Sequence, residues 1–475
     1  MRVLITGATG FVGRALVARL LREGHQPVAW VRSPERAASQ VGGEAELAPA
    51  GDDADLARLL SGVDAVVNLA GANVFGRRWS ARYKKELMDS RVGLTARLVQ
   101  AMGAADPRPG VLVSASGIGY YGDRGQQELD ESGGQGDDFL ARLSGDWEQA
   151  AAAARDHGAR VALLRTGTVL GPEGGALQRL LPLFRMGLGG RLGSGRQYMA
   201  WIHLHDLVEL ITSALTDERL EGPLNVAAPE AVTNRHFTRV LAQKVARPAL
   251  LPAPGPLLRL ALGQAAGVLL GGQRAVPARL LQAGFSFRYP TLESTLDQLL
   301  DPTLAPAIAP IRGDGPIAGV RPRYRLEQQT RINAPLDVVF PFFSEAANLG
   351  LLTPAWTDLR LTGAPPRQMR KGTEIDYTLK LGPLRSRWRS EITVWEPGVR
   401  FVDHQTRGPY RLWWHEHRFA ADGQQTLMTD RVHYALPLPP FGRLAHPLLV
   451  APALRRIFAY RLQMMGLRFG VRQHQ

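Results

Sequence analysis

Through its first 300 residues the chain alternates short apolar runs with amphipathic stretches. Residues 2–5, 27–31, 65–69, 111–114 and 161–165 are apolar on both faces, the pattern of strands buried inside a parallel sheet. Residues 12–23, after the first run, repeat apolar positions at helical spacing, and Gly24 stands where a helix would close. Strand–helix alternation predicts an α/β, doubly wound parallel sheet over residues 1–300. The pattern loosens after residue 177, with a glycine-rich loop at 186–196 and a helical segment near 234–246. Prolines 302, 306, 310, 316 and 322, with Gly313, Gly315 and Gly319, exclude a helix or central strand, so residues 301–320 read as a linker. From 321 to 475 a strand at 324–332, a short helix at 336–343 and strands at 374–381, 386–395, 399–405, 410–419 and 427–436 precede a terminal helix at 447–469. That helix would be about 35 Å long. The order predicts an α+β fold with an antiparallel sheet whose concave face the helix covers.

Thr6-Gly7-Ala8-Thr9-Gly10-Phe11-Val12-Gly13 follows the first strand and opens the first helix. Gly7 permits a tight turn, Gly10 lets the backbone approach a pyrophosphate, and Gly13 allows helix and strand to pack closely. The helix N-terminus offers unpaired N–H groups and a positive dipole end to phosphate. Arg32 and Ser33 end the second strand, where an acidic residue would hold the ribose of NAD. A guanidinium there pairs with a 2′-phosphate, so NADP(H) is the expected cofactor, against the plainer reading of Arg32 as a solvated loop residue.

Together with Asn68-Leu69-Ala70-Gly71 and Ser114-Ala115-Ser116-Gly117-Ile118-Gly119-Tyr120-Tyr121-Gly122, this start resembles the extended short-chain dehydrogenase/reductase superfamily, whose sheet is Rossmann-like. Phe139-Leu140-Ala141-Arg142-Leu143, Gly193-Ser194-Gly195-Arg196-Gln197 and Trp201-Ile202-His203-Leu204-His205-Asp206 narrow the resemblance to the YfcH-like, epimerase-related branch. It covers residues 1–300, including a small subdomain at 250–297. The resemblance implies cofactor contacts from Thr6, Gly7, Thr9, Gly10, Phe11, Val12, Gly13, Arg32, Ser33, Leu69, Ala70 and Gly71. Asp52 matches a position that contacts adenine, though an aspartate capping a turn fits equally.

Active members of that superfamily use a tyrosine as general acid/base and a lysine four residues later. Here those positions hold Phe139 and Leu143. Either another hydroxyl substitutes, with Tyr121 and Ser116 (or Ser114) the candidates, or the domain binds NADP(H) without turnover. Arg196, Gln197 and His203 could form a pocket for an anionic small-molecule substrate; a rigid loop with one structural histidine is the plain alternative.

Residues 321–475 resemble the START-like (SRPBCC, polyketide-cyclase-related) helix-grip superfamily, through Arg331-Ile332-Asn333-Ala334-Pro335, Trp395-Glu396-Pro397-Gly398 and the order of elements. That implies a cavity for a hydrophobic ligand. Period-two geometry places Trp413, His415, His417 and Phe419 on one face, with His404 and His433 on neighbouring strands as further nitrogen ligands for zinc. No carboxylate stands at ligand spacing and aromatics interleave, so a packed or cavity-lining face without metal is expected.

Composition narrows the partners. The 475 residues include no cysteine, which excludes thiolate chemistry. The net charge of +14 is uneven: residues 320–475 carry 23 basic and 12 acidic side chains, the rest almost balance. No basic run or reader motif accompanies the excess, so nucleic acid is not the expected partner. The basic terminal helix, with Arg455, Arg456, Arg461 and Arg468, suits peripheral contact with anionic lipid, or is a core helix with a solvated arginine face. With no signal-like start, the cytoplasm is the expected location. The enzymatic expectation is an NADP(H)-dependent oxidoreductase or nucleotide-sugar-epimerase-like protein with an appended hydrophobic-ligand module. Its alternative is a catalytically silent NADP(H) sensor or scaffold coupled to a lipid-like carrier.

Overall fold

The computed structural model describes residues 1–171, 174–311, 315–363, 366, 368–382 and 384–472. They divide into two compact units, residues 1–33 with 46–300, and residues 34–45 with 301–475. Gly313 of the expected linker lies outside the described residues.

The first unit is built on seven strands: β1 (Arg2–Thr6), β2 (Gln26–Val31), β3 (Glu46–Pro49), β4 (Ala65–Asn68), β5 (Val111–Gly117), β6 (Arg160–Thr166) and β7 (Gly222–Val226). All pair in parallel, in the order β7-β6-β5-β4-β1-β2-β3. The reversal of direction beside β1 is where doubly wound sheets open a crevice at the carboxyl ends of their strands. Val3, Leu4 and Ile5 of β1 and Val66 and Val67 of β4 are fully buried, as strands covered on both faces require. Sequence reading found five of these strands and missed the two at the edges. β3 is four residues ending in Pro49, and β7 begins Gly222-Pro223, so neither carries a strong strand pattern.

Helix α1 (Phe11–Arg22) follows β1, and the two approach closely. A Cβ at Gly13 would lie 2.2 Å from the Gly7 carbonyl oxygen and 2.7 Å from the Ala8 Cα. Gly7 itself has φ +72°, where a side chain is strained.

The second unit is a nine-stranded antiparallel sheet: β8 (Ala307–Pro310), β9 (Tyr324–Ile332), β10 (Arg360–Leu361), β11 (Glu374–Leu381), β12 (Leu384–Glu396), β13 (Arg400–Arg407), β14 (Leu412–Asp422), β15 (Gln425–Ala435) and β16 (Val471–Arg472). Its order is β8-β9-β15-β14-β13-β12-β11-β10, with β16 also on β9. The expected linker therefore contains an edge strand, β8, a place where Pro306 and Pro310 are tolerated. The terminal helix also starts differently. Residues His446–Val450 form a π turn, and the α-helix proper spans Ala451–Phe469. Leu454, Phe458, Met464, Met465 and even Arg461 on it are buried, so it is a core helix. No helix among the described residues is long and apolar enough to cross a membrane.

The close contact of α1 with the first turn makes a simple test. Gly13→Ala is expected to destabilise the chain by about 1–3 kcal/mol in urea melts. Gly110→Ala, where an added Cβ meets nothing within 4 Å, should leave the urea midpoint unchanged or raise it slightly.

Candidate functional site

At the carboxyl end of β1 the backbone turns at Gly7, and the Gly10 amide donates to the Gly7 carbonyl at 2.9 Å. Gly10 caps α1 in an extended conformation without a side-chain bond to the helix, and the first turn carries no acidic residue. The dipole and N–H groups of this N-terminus are left for an anion. Thr6 ties the neighbouring strand end to the turn. Its hydroxyl donates to Asn68 Oδ1 at 2.7 Å and accepts from the Leu69 and Ala70 amides at 3.1 Å each. Phe11 is hemmed in by backbone: added Cβ atoms at Gly171 and Gly174 would meet its ring at 2.7 and 2.1 Å. Arg32 is exposed at the end of β2, with Ser33 beside it. Asp52 accepts from the Asp55 amide at 2.9 Å and caps the helix Asp53–Leu60, the capping role the sequence allowed.

Arg91 belongs to this end of the sheet and was not visible in the sequence. It sits on a π turn, Asp89–Gly93, which no local pattern announces. Its guanidinium donates to the Ala72 carbonyl at 2.9 Å and lies 5.3 Å from the centre of the Trp147 ring, while its Nη1 is buried without a partner. A Cβ at Gly71 would fall 2.9 Å from the Arg91 Cζ. Burial pushes the Arg91 pKa down to about 10.

The proposed catalytic hydroxyls are placed differently from expectation. Tyr121 is fully buried, its hydroxyl 2.7 Å from Asn225 Oδ1 and 2.9 Å from the Asp130 carbonyl, and it accepts from Arg165 Nη1 at 3.0 Å. Burial raises its pKa even though Arg165 works against that. Ser116 donates to Glu148 Oε1 at 2.7 Å, and Glu148 holds Arg165 through two bonds of 2.9 Å. Burial opposes the Arg165 charge, but the Glu148 carboxylate outweighs it and keeps the arginine above its ordinary value. Tyr121, Ser116, Glu148, Arg165 and Asn225 thus form one buried polar network whose bonds are spent on one another. Ser114, the other candidate, accepts from Asn68 Nδ2 at 3.3 Å.

Helix Phe139–Ala152, capped by Asp138, carries the positions of the usual tyrosine and lysine. Phe139 packs edge-on against Trp79 at 5.2 Å, and Leu143 is buried. A lysine does reach this place from another helix: Lys84 Nζ lies 4.9 Å from the centre of the Phe139 ring.

Of the residues expected to line an anionic pocket, Gln197 and His203 spend their hydrogen bonds on the fold itself. Gln197 donates to the Leu192 and Leu269 carbonyls at 2.9 and 3.0 Å and locks the glycine-rich loop, while Arg196 is exposed. His203 caps the helix Leu204–Thr216: its Nδ1 accepts from the His205 amide at 2.9 Å and its Nε2 donates to Gln298 at 3.0 Å. Its ring packs 4.1 Å from that of Tyr289. Burial pushes its pKa from the ordinary 6.5 down to about 4.

Comparison with known proteins agrees with this geometry. The sequence pattern of the NAD dependent epimerase/dehydratase family matches residues 3–227, a domain of unknown function (DUF1731) matches 253–299, and the polyketide cyclase/dehydrase and lipid transport pattern matches 323–469. An epimerase family protein of Mycobacterium bovis is 43% identical over 291 residues, 61% of this chain and 94% of that protein. The crystal structure of human epimerase family protein SDR39U1 with NADPH is 36% identical, covering 63% of this chain and 99% of its own, with a TM-score of 0.58. A nucleoside-diphosphate sugar epimerase from Corynebacterium glutamicum is 33% identical over 63% of this chain and 58% of its own, with a TM-score of 0.51.

The state of His203 gives a pH prediction. Between pH 6.5 and 4 the unfolded chain binds a proton there and the native chain resists it, so stability falls as pH drops through that window. The loss attributable to this residue is roughly 2–4 kcal/mol. His203→Asn, which can still cap the helix, should flatten the stability–pH curve over the window relative to the unsubstituted chain.

Proposed function

Because the chain belongs to the NAD dependent epimerase/dehydratase family, we propose that its first unit holds NADP(H) and its second a hydrophobic ligand, as a cofactor-binding carrier. One contrast carries the proposal: the cradle for a dinucleotide is open while the hydroxyls suited to acid/base work are closed. The cradle fits the cofactor on three counts. An uncapped helix N-terminus follows a turn in which glycine hydrogens stand where side chains would collide. The buried Arg91 Nη1 lacks a partner next to Gly71. Arg32 is exposed where a 2′-phosphate is read. Residues 6–13 would hold the pyrophosphate, Arg32 and Ser33 the 2′-phosphate, and Leu69, Ala70 and Gly71 the stretch beyond; that a relative is solved with NADPH supports the choice of cofactor. A bound nicotinamide supplies a hydride donor or acceptor. Against turnover, Tyr121 and Ser116 keep their protons within a buried network, and Phe139 and Leu143 hold none to exchange.

Removing the Arg32 charge should separate the two cofactors. Arg32→Glu is expected to weaken NADPH binding about tenfold to a hundredfold by fluorescence titration, with NADH affinity unchanged or improved. Incubated with NADP(H) and a panel of aldehydes, ketones and nucleotide sugars, the full chain should leave the cofactor unconsumed and the sugars unepimerised. Consumption would instead favour a reductase reading, for which Lys84 over Phe139 is the specific support. Lys84→Met would then abolish it.

The second unit also offers a surface for an anionic bilayer. Leu438, Phe441, Leu444, Leu448 and Leu449 are between 68% and 74% exposed, with Arg443 among them, in a segment of net positive charge. Co-sedimentation with phosphatidylserine vesicles at low salt is expected, and Phe441→Ser with Leu444→Ser should abolish it. Sedimentation that ignores both substitutions would count against this face.

A further inference from the structure

The second unit buries two histidines between two carboxylates. His415 and His417 lie on one face of β14, as its period of two dictates. Register then sets an acid opposite each: Asp403 of β13 stands across from His415, and Asp430 of β15 across from His417. His404 and His433, considered as ligands from the sequence, both stand opposite Trp414 and so belong to the other face.

The distances separate the roles of the two acids. Asp403 Oδ2 is 3.4 Å from His415 Nδ1 and 3.1 Å from His417 Nε2. Ligand atoms about 2.0–2.2 Å from a tetrahedral zinc ion stand roughly 3.3–3.5 Å apart, so one oxygen sits near a coordination edge from a nitrogen on each ring. The three donor atoms all fall within 4.8 Å of one another. Asp430 addresses the opposite nitrogens, 2.8 Å from His415 Nε2 and 2.9 Å from His417 Nδ1. Asp430 is in turn held by Arg461 at 3.0 Å, from the terminal helix. The Asp430 bond behind the outer nitrogen of His415 is how metal-bound histidines are oriented.

Two observations argue that hydrogen bonding alone does not complete this cluster. His417 Nδ1, on a side chain only 5% exposed, stands 2.9 Å from Asp430 but out of line for a hydrogen bond, so their contact is electrostatic. Asp403 meets the two imidazoles and the Ser390 hydroxyl, and among the described residues no arginine or lysine forms an ion pair with it. Asp403 and Asp430 thus set two carboxylates against the imidazoles beside the one fixed positive charge of Arg461, and a divalent ion would complete the charge balance.

We propose that Asp403, His415 and His417 bind a divalent first-row metal ion, zinc by ligand type, with Asp430, itself held by Arg461, orienting His415 from behind. Three protein donors leave a coordination position for water or for an oxygen of a ligand inside the unit, as in zinc sites that polarise a carbonyl. The surroundings are aromatic: Phe401 stacks on His417 at 4.3 Å and Phe458 lies 5.8 Å from His415. Hydrophobic walls around such a position suit an apolar molecule carrying one carbonyl or enol oxygen. This inference does not depend on the cofactor reading of the first unit.

The experiment is metal titration of the full chain after chelation. Cobalt(II) should bind at one ion per chain with the visible absorption of a tetrahedral site, and zinc should displace it and raise the melting temperature. Asp403→Asn and His417→Gln should each remove that absorption. Asp430→Asn should weaken binding about tenfold to a hundredfold at unchanged stoichiometry. A second cluster, Glu230, His236 and Glu293, is more exposed and serves as the competing site. Loss of binding in His236→Gln, or retention in Asp403→Asn, would overturn the proposal. So would failure of the unsubstituted chain to take up cobalt or zinc, which needs no variant to fold.

Discussion

A Cβ at Gly13 would lie 2.2 Å from the Gly7 carbonyl oxygen, and the architecture of the first unit depends on that missing carbon. With hydrogen there, α1 starts directly against the turn that leaves β1, and its N-terminal amides converge where the strands end. Thr6 then fastens the Leu69 and Ala70 amides to the same turn, so two strand ends and a helix start share one rigid crevice. A larger residue at Gly13 would displace the helix and scatter the donors that make the crevice attractive to a pyrophosphate.

Away from the crevice, function is shaped by how buried charge is compensated. Arg165 enters the core of the first unit accompanied by Glu148, and Tyr121, Ser116 and Asn225 complete its hydrogen bonding. Breaking such a pair strands a buried charge, which commonly costs about 3–5 kcal/mol. A hydroxyl recruited into that network is poorly placed to give up its proton to a substrate. The family's usual acid/base position is meanwhile filled with carbon at Phe139 and Leu143, packed against Trp79 and the neighbouring helices. Both observations favour binding over turnover.

Much of the fold could be read directly from local pattern. The interior strands of the parallel sheet, the glycine turn, the antiparallel order of the second unit and its long final helix all follow from periodicity and turn residues. What escaped was either too short or too irregular to carry a period. The edge strands β3 and β7 contain Pro49 and Pro223, the π turn that presents Arg91 has no sequence signature, and residues 307–310, between Pro306 and the end at Pro310, form an edge strand where a linker was expected. The candidate site divides the same way. The glycine cradle is contiguous in sequence, whereas the commitments of Tyr121, Gln197 and His203 are made by partners as remote as Asn225, Leu269 and Gln298.

The sequence by itself determined the glycine turn before α1, the arginine at the second strand end, and the shared face of His415 and His417. Each follows from backbone geometry over a few consecutive residues. Only the tertiary structure decided that Tyr121 spends its hydroxyl internally, that His203 caps a helix, and that Asp403 and Asp430 flank the two imidazoles. Those outcomes rest on strand order and register, and cross-strand partners are fixed by the packing of whole elements rather than by their spacing along the chain.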